Sequence, residues 1–265
     1  MLPFTSIQAV LFDMDGVLYR GKQILAGVHE LLSFLSERGI AAACITNNAS
    51  LTPAQYEQKL TTMGIAIPGE RVITSAIATG RYLRTHYPYG TRVFIVGMSG
   101  LRQALLADGY FVEDDEQPEL VVQGVDFTLT YETLRKATLC IRRGATFIAT
   151  NPDTTFPSEE GLIPGAGSIT AALVAASETI PLVVGKPAPT MFRVAAEMLS
   201  VPAAATLVIG DRLDTDIAGA ISAAMLSALV LTGVSSRRAA ESSPIQPTAI
   251  FADLPALLTA WRMSG

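Results

Sequence analysis

Short apolar runs alternate with longer amphipathic segments along the whole chain. Ala9–Phe12, Ile40–Ile45, Arg92–Val96, Leu120–Gln123, Thr146–Ala149, Ala205–Ile209 and Leu226–Leu231 are brief and dominated by aliphatic residues. Runs of this kind, without polar alternation, predict strands buried on both faces. Between them, apolar residues recur at helical spacing. Val28, Leu31, Leu32 and Leu35 mark a helix over 28–38, with Gly39 as its C-cap. Thr52-Pro53-Ala54-Gln55 reads as a capping box with Pro53 at the first helical position. Further helices are predicted over 75–86, 101–107, 131–142, 168–177, 190–199, 217–224 and 253–262, and a long polar loop over Thr150–Pro164. Strand and helix in alternation imply an α/β fold with a parallel sheet. There is no solenoid repeat, and Trp261 is assigned to packing.

Three of these runs end in distinctive polar groups. Ala9–Phe12 stops at Asp13 and Asp15, with Gly16 marking the turn. Side chains two apart on an extended chain point to the same side, so both carboxylates leave the strand together. Such a pair either caps an acidic turn or is compensated by a metal or a shared proton. A calcium loop counted from Asp13 fails, because Val17 and Ile24 stand where oxygen ligands are needed. Thr46 and Asn47 follow Ile40–Ile45, and Asp211 and Asp216 follow Ala205–Ile209. Lys186 opens the helix before the Asp211 strand.

Ligands of open parallel sheets bind at the carboxyl ends of the strands, where all these groups lie. Three carboxylates suit a hard cation such as Mg²⁺. A hydroxyl, an amide and an ammonium suit an anion, with backbone N–H groups of the Thr46 loop adding to them. Together they describe a phosphate dianion held against carboxylates. One carboxylate can attack phosphorus, and a second can protonate the leaving oxygen and then deprotonate water.

Composition narrows the classes. The 265 residues allow one large domain or two smaller ones. Hydrophobic residues make up 49% and charged residues 16%, which argues against disorder. A net charge of −5, with Arg142-Arg143 and Arg237-Arg238 as isolated basic pairs, argues against a nucleic-acid binder. Cys44 and Cys140 cannot build a disulfide scaffold, and Cys44 reads as an inert core thiol. Neither a signal peptide nor an apolar stretch of about 18 residues is present, so a cytoplasmic protein without membrane association is expected.

Asp13-Met14-Asp15-Gly16-Val17, Thr46-Asn47-Asn48, Gly185-Lys186-Pro187 and Gly210-Asp211-Arg212-Leu213-Asp214-Thr215-Asp216 resemble, in order, the four motifs of the haloacid dehalogenase-like superfamily. Pro187-x-Pro189-x-Met191-Phe192 resembles its NagD-like branch. The resemblance implies a Rossmann-like parallel-sheet core with an inserted α/β cap. It implies Asp13 as nucleophile and metal ligand, and Asp15 as general acid/base that binds the metal through its backbone carbonyl. Thr46 and Asn47 would hold the transferring phosphoryl group, and Lys186 would bind that group and orient Asp13. Asp211 would be the third Mg²⁺ ligand, with Asp216 on a metal-bound water. Asp214 either shares that role or caps the next helix.

Only 33 residues separate Asp13 from Thr46, whereas 140 separate Thr46 from Lys186. The insert is therefore expected between the second and third motifs, as a C2-type cap over 82–180 with the core formed by 1–81 and 181–265. Its role would be to close over the site, exclude water and read the leaving group. Asn151 and Asp153 are its candidate specificity residues, with a surface loop as the alternative. Gly165-x-Gly167 is followed by Thr170 and lacks the third glycine of a dinucleotide fingerprint.

The expected activity is Mg²⁺-dependent hydrolysis of small phosphomonoesters (nucleotides, sugar phosphates or aryl phosphates) through an aspartyl-phosphate on Asp13. A phosphometabolite-binding module and a narrow-specificity phosphotransferase are the alternatives. The partner is a small phosphorylated metabolite, with a homodimer through the cap surface left open. Asp15 argues against a dehalogenase and a transport ATPase. Ala224 departs from the NagD-like pattern, which often has Gly there.

Overall fold

The computed structural model describes residues 2–158 and 160–264. They form two compact units, the first of residues 2–46, 54–73 and 186–264, the second of residues 47–53, 74–158 and 160–185.

The first unit opens with β1 (Ala9–Phe12), a small antiparallel hairpin of β2 (Tyr19–Arg20) and β3 (Gln23–Ile24), α1 (Val28–Glu37), β4 (Ala41–Thr46), α2 (Pro53–Thr62) and β5 (Val72–Thr74). Helix α1 forms where the apolar spacing predicts it and buries Val28, Leu31, Phe34 and Leu35. Gly39 lies just beyond its end with φ of +66°, the left-handed conformation of a helix stop.

The second unit runs through α3 (Ser75–His86), β6 (Arg92–Val96), α4 (Ser99–Leu106), β7 (Val112–Glu113), β8 (Leu120–Gln123), α5 (Tyr131–Arg142), β9 (Thr146–Ala149), a hairpin of β10 (Thr155–Ser158) and β11 (Gly161–Pro164), α6 (Ala166–Ser177) and β12 (Leu182–Val183). Its sheet has the order β12-β9-β8-β6-β7, with all pairs parallel. Phe94, Val121, Phe147, Cys140, Ile141 and Leu173 share its core.

The chain then returns to the first unit as α7 (Pro189–Leu199), β13 (Thr206–Gly210), a π-helical turn over Leu213–Ile217, α8 (Ala218–Ser222), β14 (Leu226–Val230), α9 (Arg237–Ser242), β15 (Ala249–Phe251) and α10 (Leu254–Met263). Its six strands have the order β15-β14-β13-β1-β4-β5. β1 is central and pairs in parallel with both β13 and β4, with Phe12 opposite Ile209 and Cys44. Every residue of β1 and β13 is buried, as strands covered on both faces require. Trp261 on α10 packs against Phe4 and Phe34, with ring centroids 5.0 and 5.7 Å away, and so serves packing.

The structure differs from the sequence reading in several places, the short strands β2, β3 and β7 among them. The Thr74–Gly185 stretch of the second unit is longer at both ends than the 82–180 expected for the insert, and α3 is tied into that unit. Arg84 donates to Asp108 Oδ2 at 2.8 Å and to the Ala104 carbonyl at 3.1 Å, and the Tyr110 hydroxyl donates to the Arg84 carbonyl. Thr150–Pro164 is a hairpin rather than a plain loop. Its strands Thr155–Ser158 and Gly161–Pro164 are short, and a proline at position 157 argues against a strand in the sequence pattern. The helix expected over 217–224 is split into the π-helical turn and the short α8. The strands β5 and β15, three residues each, and the short helix α9 leave too little periodicity to read. No helix among the described residues is long and apolar enough to cross a membrane.

Candidate active site

The site is built on adjacent strand ends of the first unit. Asp13 follows β1 directly, and its N–H donates to the Ile209 carbonyl at 2.9 Å, extending the ladder to β13. β13 ends at Gly210, so Asp211 leaves the sheet beside Asp13. Lys186, buried ahead of α7, donates to Asp13 Oδ1 at 2.5 Å and to Asp216 Oδ1 at 2.7 Å. Asp216 Oδ2 accepts the Arg212 N–H at 3.1 Å. One carboxylate oxygen from each of Asp13, Asp211 and Asp216 lies within 4.8 Å of the others.

Burial sets the electrostatics. It pushes the Asp13 carboxyl up to about 7 against the pull of Lys186, with Asp216 and Asp211 adding repulsion. Burial and the Asp216 charge push Asp211 up to about 6. Burial also disfavours the Lys186 ammonium, but Asp13 and Asp216 outweigh it and hold its pKa above the usual lysine value. Beneath Asp13, the Cys44 thiol is raised by burial and then by the Asp13 charge, and so stays protonated in the core.

These residues fit a hard cation. Asp211 Oδ2 accepts the Val234 N–H at 2.7 Å. Asp211 Oδ1 is the one buried side-chain oxygen or nitrogen among the described residues that lacks a hydrogen-bond partner. A desolvated carboxylate oxygen without a donor is costly by itself and suited to a metal ligand bond. Both Asp216 oxygens already accept protein donors, which leaves Asp13 and Asp211 as the carboxylates with oxygens for a cation.

Residues 10–111 match the model of the haloacid dehalogenase-like hydrolase family, and residues 183–257 match that of the HAD-hydrolase-like family. The chain belongs to the haloacid dehalogenase-like hydrolases. It is 38% identical over 247 residues to an acid sugar phosphatase of Staphylococcus saprophyticus, covering 93% of this chain and 95% of the relative. It is similar to the crystal structure of a 4-nitrophenylphosphatase from Thermotoga maritima, at 37% identity and a TM-score of 0.93, covering 98% and 100% of the two chains. It is also similar to a glycerol phosphate phosphatase from Mycobacterium tuberculosis solved with magnesium, at 37% identity and a TM-score of 0.88, covering 96% and 77%. That relative was also solved with calcium. The chain is a phosphatase of the NagD-like branch.

The remaining candidate residues of this NagD-like phosphatase sit as follows. Asp15 lies on the turn after β1, outside the three-carboxylate cluster, and its side is open to solvent. Gly16, with φ of +84°, makes that turn, and its N–H donates to the Tyr19 carbonyl at 2.8 Å. Burial raises the pKa of the Asp15 carboxyl, while Lys59 and Arg20 oppose the rise. Thr46 is buried at the end of β4. Asn47 begins the second unit, where its amide donates to Asp153 Oδ2 at 3.1 Å. Its carbonyl accepts the Asn151 amide at 2.7 Å and the Ser75 hydroxyl at 2.6 Å. Asn151 is itself buried, and its Oδ1 accepts the Asp153 N–H, so both residues are bonded to the Asn47 segment and to each other. Asp214 lies outside the three-carboxylate cluster. Arg212 grips it with two hydrogen bonds of 3.1 and 2.8 Å, and its side chain is 67% exposed.

Two groups escape the sequence reading. The loop Thr232–Ser235, past the end of β14, closes on Asp211. The Ser235 N–H donates to the Asp211 carbonyl at 3.0 Å, beside the Val234 contact already described. The signal was Gly233 just beyond a strand end, the same rule that picked out Asp13. Tyr19, Arg20 and Lys59 gather around Asp15 with no comparable signal.

Proposed function

We propose that this phosphatase hydrolyses small phosphomonoesters with Mg²⁺ through an aspartyl-phosphate on Asp13, the inserted unit serving as its cap. One observation carries the reading. Lys186 fixes the Asp13 carboxylate from one side, while the neighbouring Asp211 presents a buried oxygen without a partner.

Asp13 and Asp211, with the Asp15 carbonyl, would hold Mg²⁺, which when bound supplies positive charge to the phosphoryl oxygens. Lys186 stays protonated and draws the Asp13 proton equilibrium toward carboxylate, the form that attacks phosphorus. The bond from phosphorus to the leaving oxygen breaks as Asp15 delivers a proton to that oxygen. Asp15 then takes a proton from water, whose oxygen attacks the aspartyl-phosphate, releasing phosphate and restoring Asp13. Thr46, Asn47 and Lys186 hold the phosphoryl group through these steps. Asp216 positions Lys186 by accepting from its ammonium. The names of the relatives support sugar, aryl and glycerol phosphates as the substrate class.

Phosphate release from a panel of these esters, with Mg²⁺ and with chelator, tests the reading in wild type and Asp13→Asn. Metal-dependent release that the variant loses by about a thousandfold or more is expected. A folded, Mg²⁺-binding wild type that releases phosphate from no ester overturns it.

A further inference from the structure

Two cations stand beside Asp15, and the hydrogen bonds they make go to neutral groups. The Lys59 ammonium, on α2, lies 4.4 Å from the centroid of the Tyr19 ring and donates to the Tyr19 hydroxyl at 3.1 Å. Tyr19 is buried and bridges to Asp15 through the backbone turn. The Arg20 guanidinium, next along the chain, donates to the Thr232 carbonyl, and the Thr232 hydroxyl donates to the Gly16 carbonyl at 2.6 Å. Both cations are thereby tethered to the turn that carries Asp15. Among the described residues neither has a carboxylate within ion-pair distance, whereas Arg84, Arg102, Arg135 and Lys136 each do.

This arrangement is costly unless it serves a charge. Lys59 is half-buried, and burial disfavours its ammonium by more than the Asp15 charge favours it. A ring face and a hydroxyl return only part of the lost hydration. Asp15 is the acid that must reach the leaving oxygen, so the leaving group lies within its hydrogen-bond reach. Cations that act on Asp15 act on that leaving group as well.

We propose that Lys59 and Arg20 are specificity-determining residues that bind a second anionic group carried by the leaving group of the substrate. The inference rests on the hydrolysis of phosphomonoesters at Asp13 and Asp15. The substrate class it names is a phosphomonoester whose alcohol also bears a carboxylate or a second phosphate.

The test compares kcat/KM for glycerol 3-phosphate, 3-phosphoglycerate and glycerol 1,3-bisphosphate, using the full chain with Mg²⁺. The first has a neutral leaving group, the second adds a carboxylate and the third a second phosphate. The preference of wild type for an anionic ester over glycerol 3-phosphate should fall about tenfold in Lys59→Met and in Arg20→Gln, chiefly through KM. Lys59→Arg should restore it, and added salt should erode it in wild type. Loss confined to one anionic ester identifies that ester's group as the one bound. Unchanged preferences in both neutral variants overturn the inference while leaving the phosphatase reading in place. Arg20 is exposed, so Arg20→Gln decides the matter if Lys59→Met does not fold. If wild type hydrolyses none of the three esters, nor any of the wider panel, the phosphatase reading fails and this inference falls with it.

Discussion

Gly233 lies so close to Asp211 that a Cβ on it would stand 1.9 Å from Asp211 Oδ2. The loop thus approaches near enough for the adjacent Val234 N–H to hold that oxygen, while the other oxygen is buried without a partner. Gly233→Ala should displace the Asp211 carboxylate and weaken Mg²⁺ binding by about 10–100-fold, as for other groups that orient a metal ligand. The rise in thermal midpoint on adding Mg²⁺ is the measurement. A variant with an unaltered Mg²⁺ response sinks this role for the loop.

Lys186 is the only cation bonded to the part-buried Asp13 and the buried Asp216 among the described residues. Replacing it with Met leaves both carboxylates uncompensated. Lys186→Met should lower unfolding stability in chelator by about 3–5 kcal/mol, measured by urea denaturation. Equal stability would show that the carboxylates are not ionised in the metal-free protein.

The metal-free protein should grow less stable as pH rises from 5.5 to 8. Asp13 and Asp211 are raised from the usual 3.8 to about 7 and about 6, so the folded state holds protons that the unfolded chain releases. The stability this contributes is full below the unfolded value and lost as pH climbs through the folded values. Mg²⁺ competes with the same protons, so its stabilising effect should be larger at pH 8 than at pH 5.5. Melting scans with chelator and with Mg²⁺ at both pH values check the sign. Asp211→Asn should flatten the chelator series, and a chelated wild type that is more stable at pH 8 contradicts the assignment.

Ala224, where the NagD-like pattern often has Gly, sits at φ of +58° just after α8. A side chain in the left-handed region costs about 1–2 kcal/mol, which glycine avoids. Ala224 is also exposed, so its methyl group contributes little packing. Ala224→Gly should therefore stabilise the protein by about 1 kcal/mol, read from the urea midpoint, with turnover unaffected. A lower midpoint would mean that the added backbone freedom of the unfolded chain outweighs the relieved strain.

The sequence by itself determined the α/β class, the strands that end in acid and the lysine set among them. The reason is physical: a parallel strand covered on both faces must be a short apolar run, so Asp13 after Phe12 and Asp211 after Gly210 stand out as breaks in it. The same logic weakened where elements were too short to show a period, as in β5 and β15, or where a proline inside a strand masked it, as in β10. Tertiary structure alone decided the partnerships. Arg212 draws Asp214 away from the cluster although it lies only two residues from Asp216. Lys59 reaches Tyr19 across forty positions of chain, and Asp211 Oδ1 is left without a donor because a loop twenty residues on satisfies only its neighbour. Spacing along a chain reports which face or strand end a residue occupies. Which donor meets which oxygen depends on loops folding back in space, and no local pattern records that.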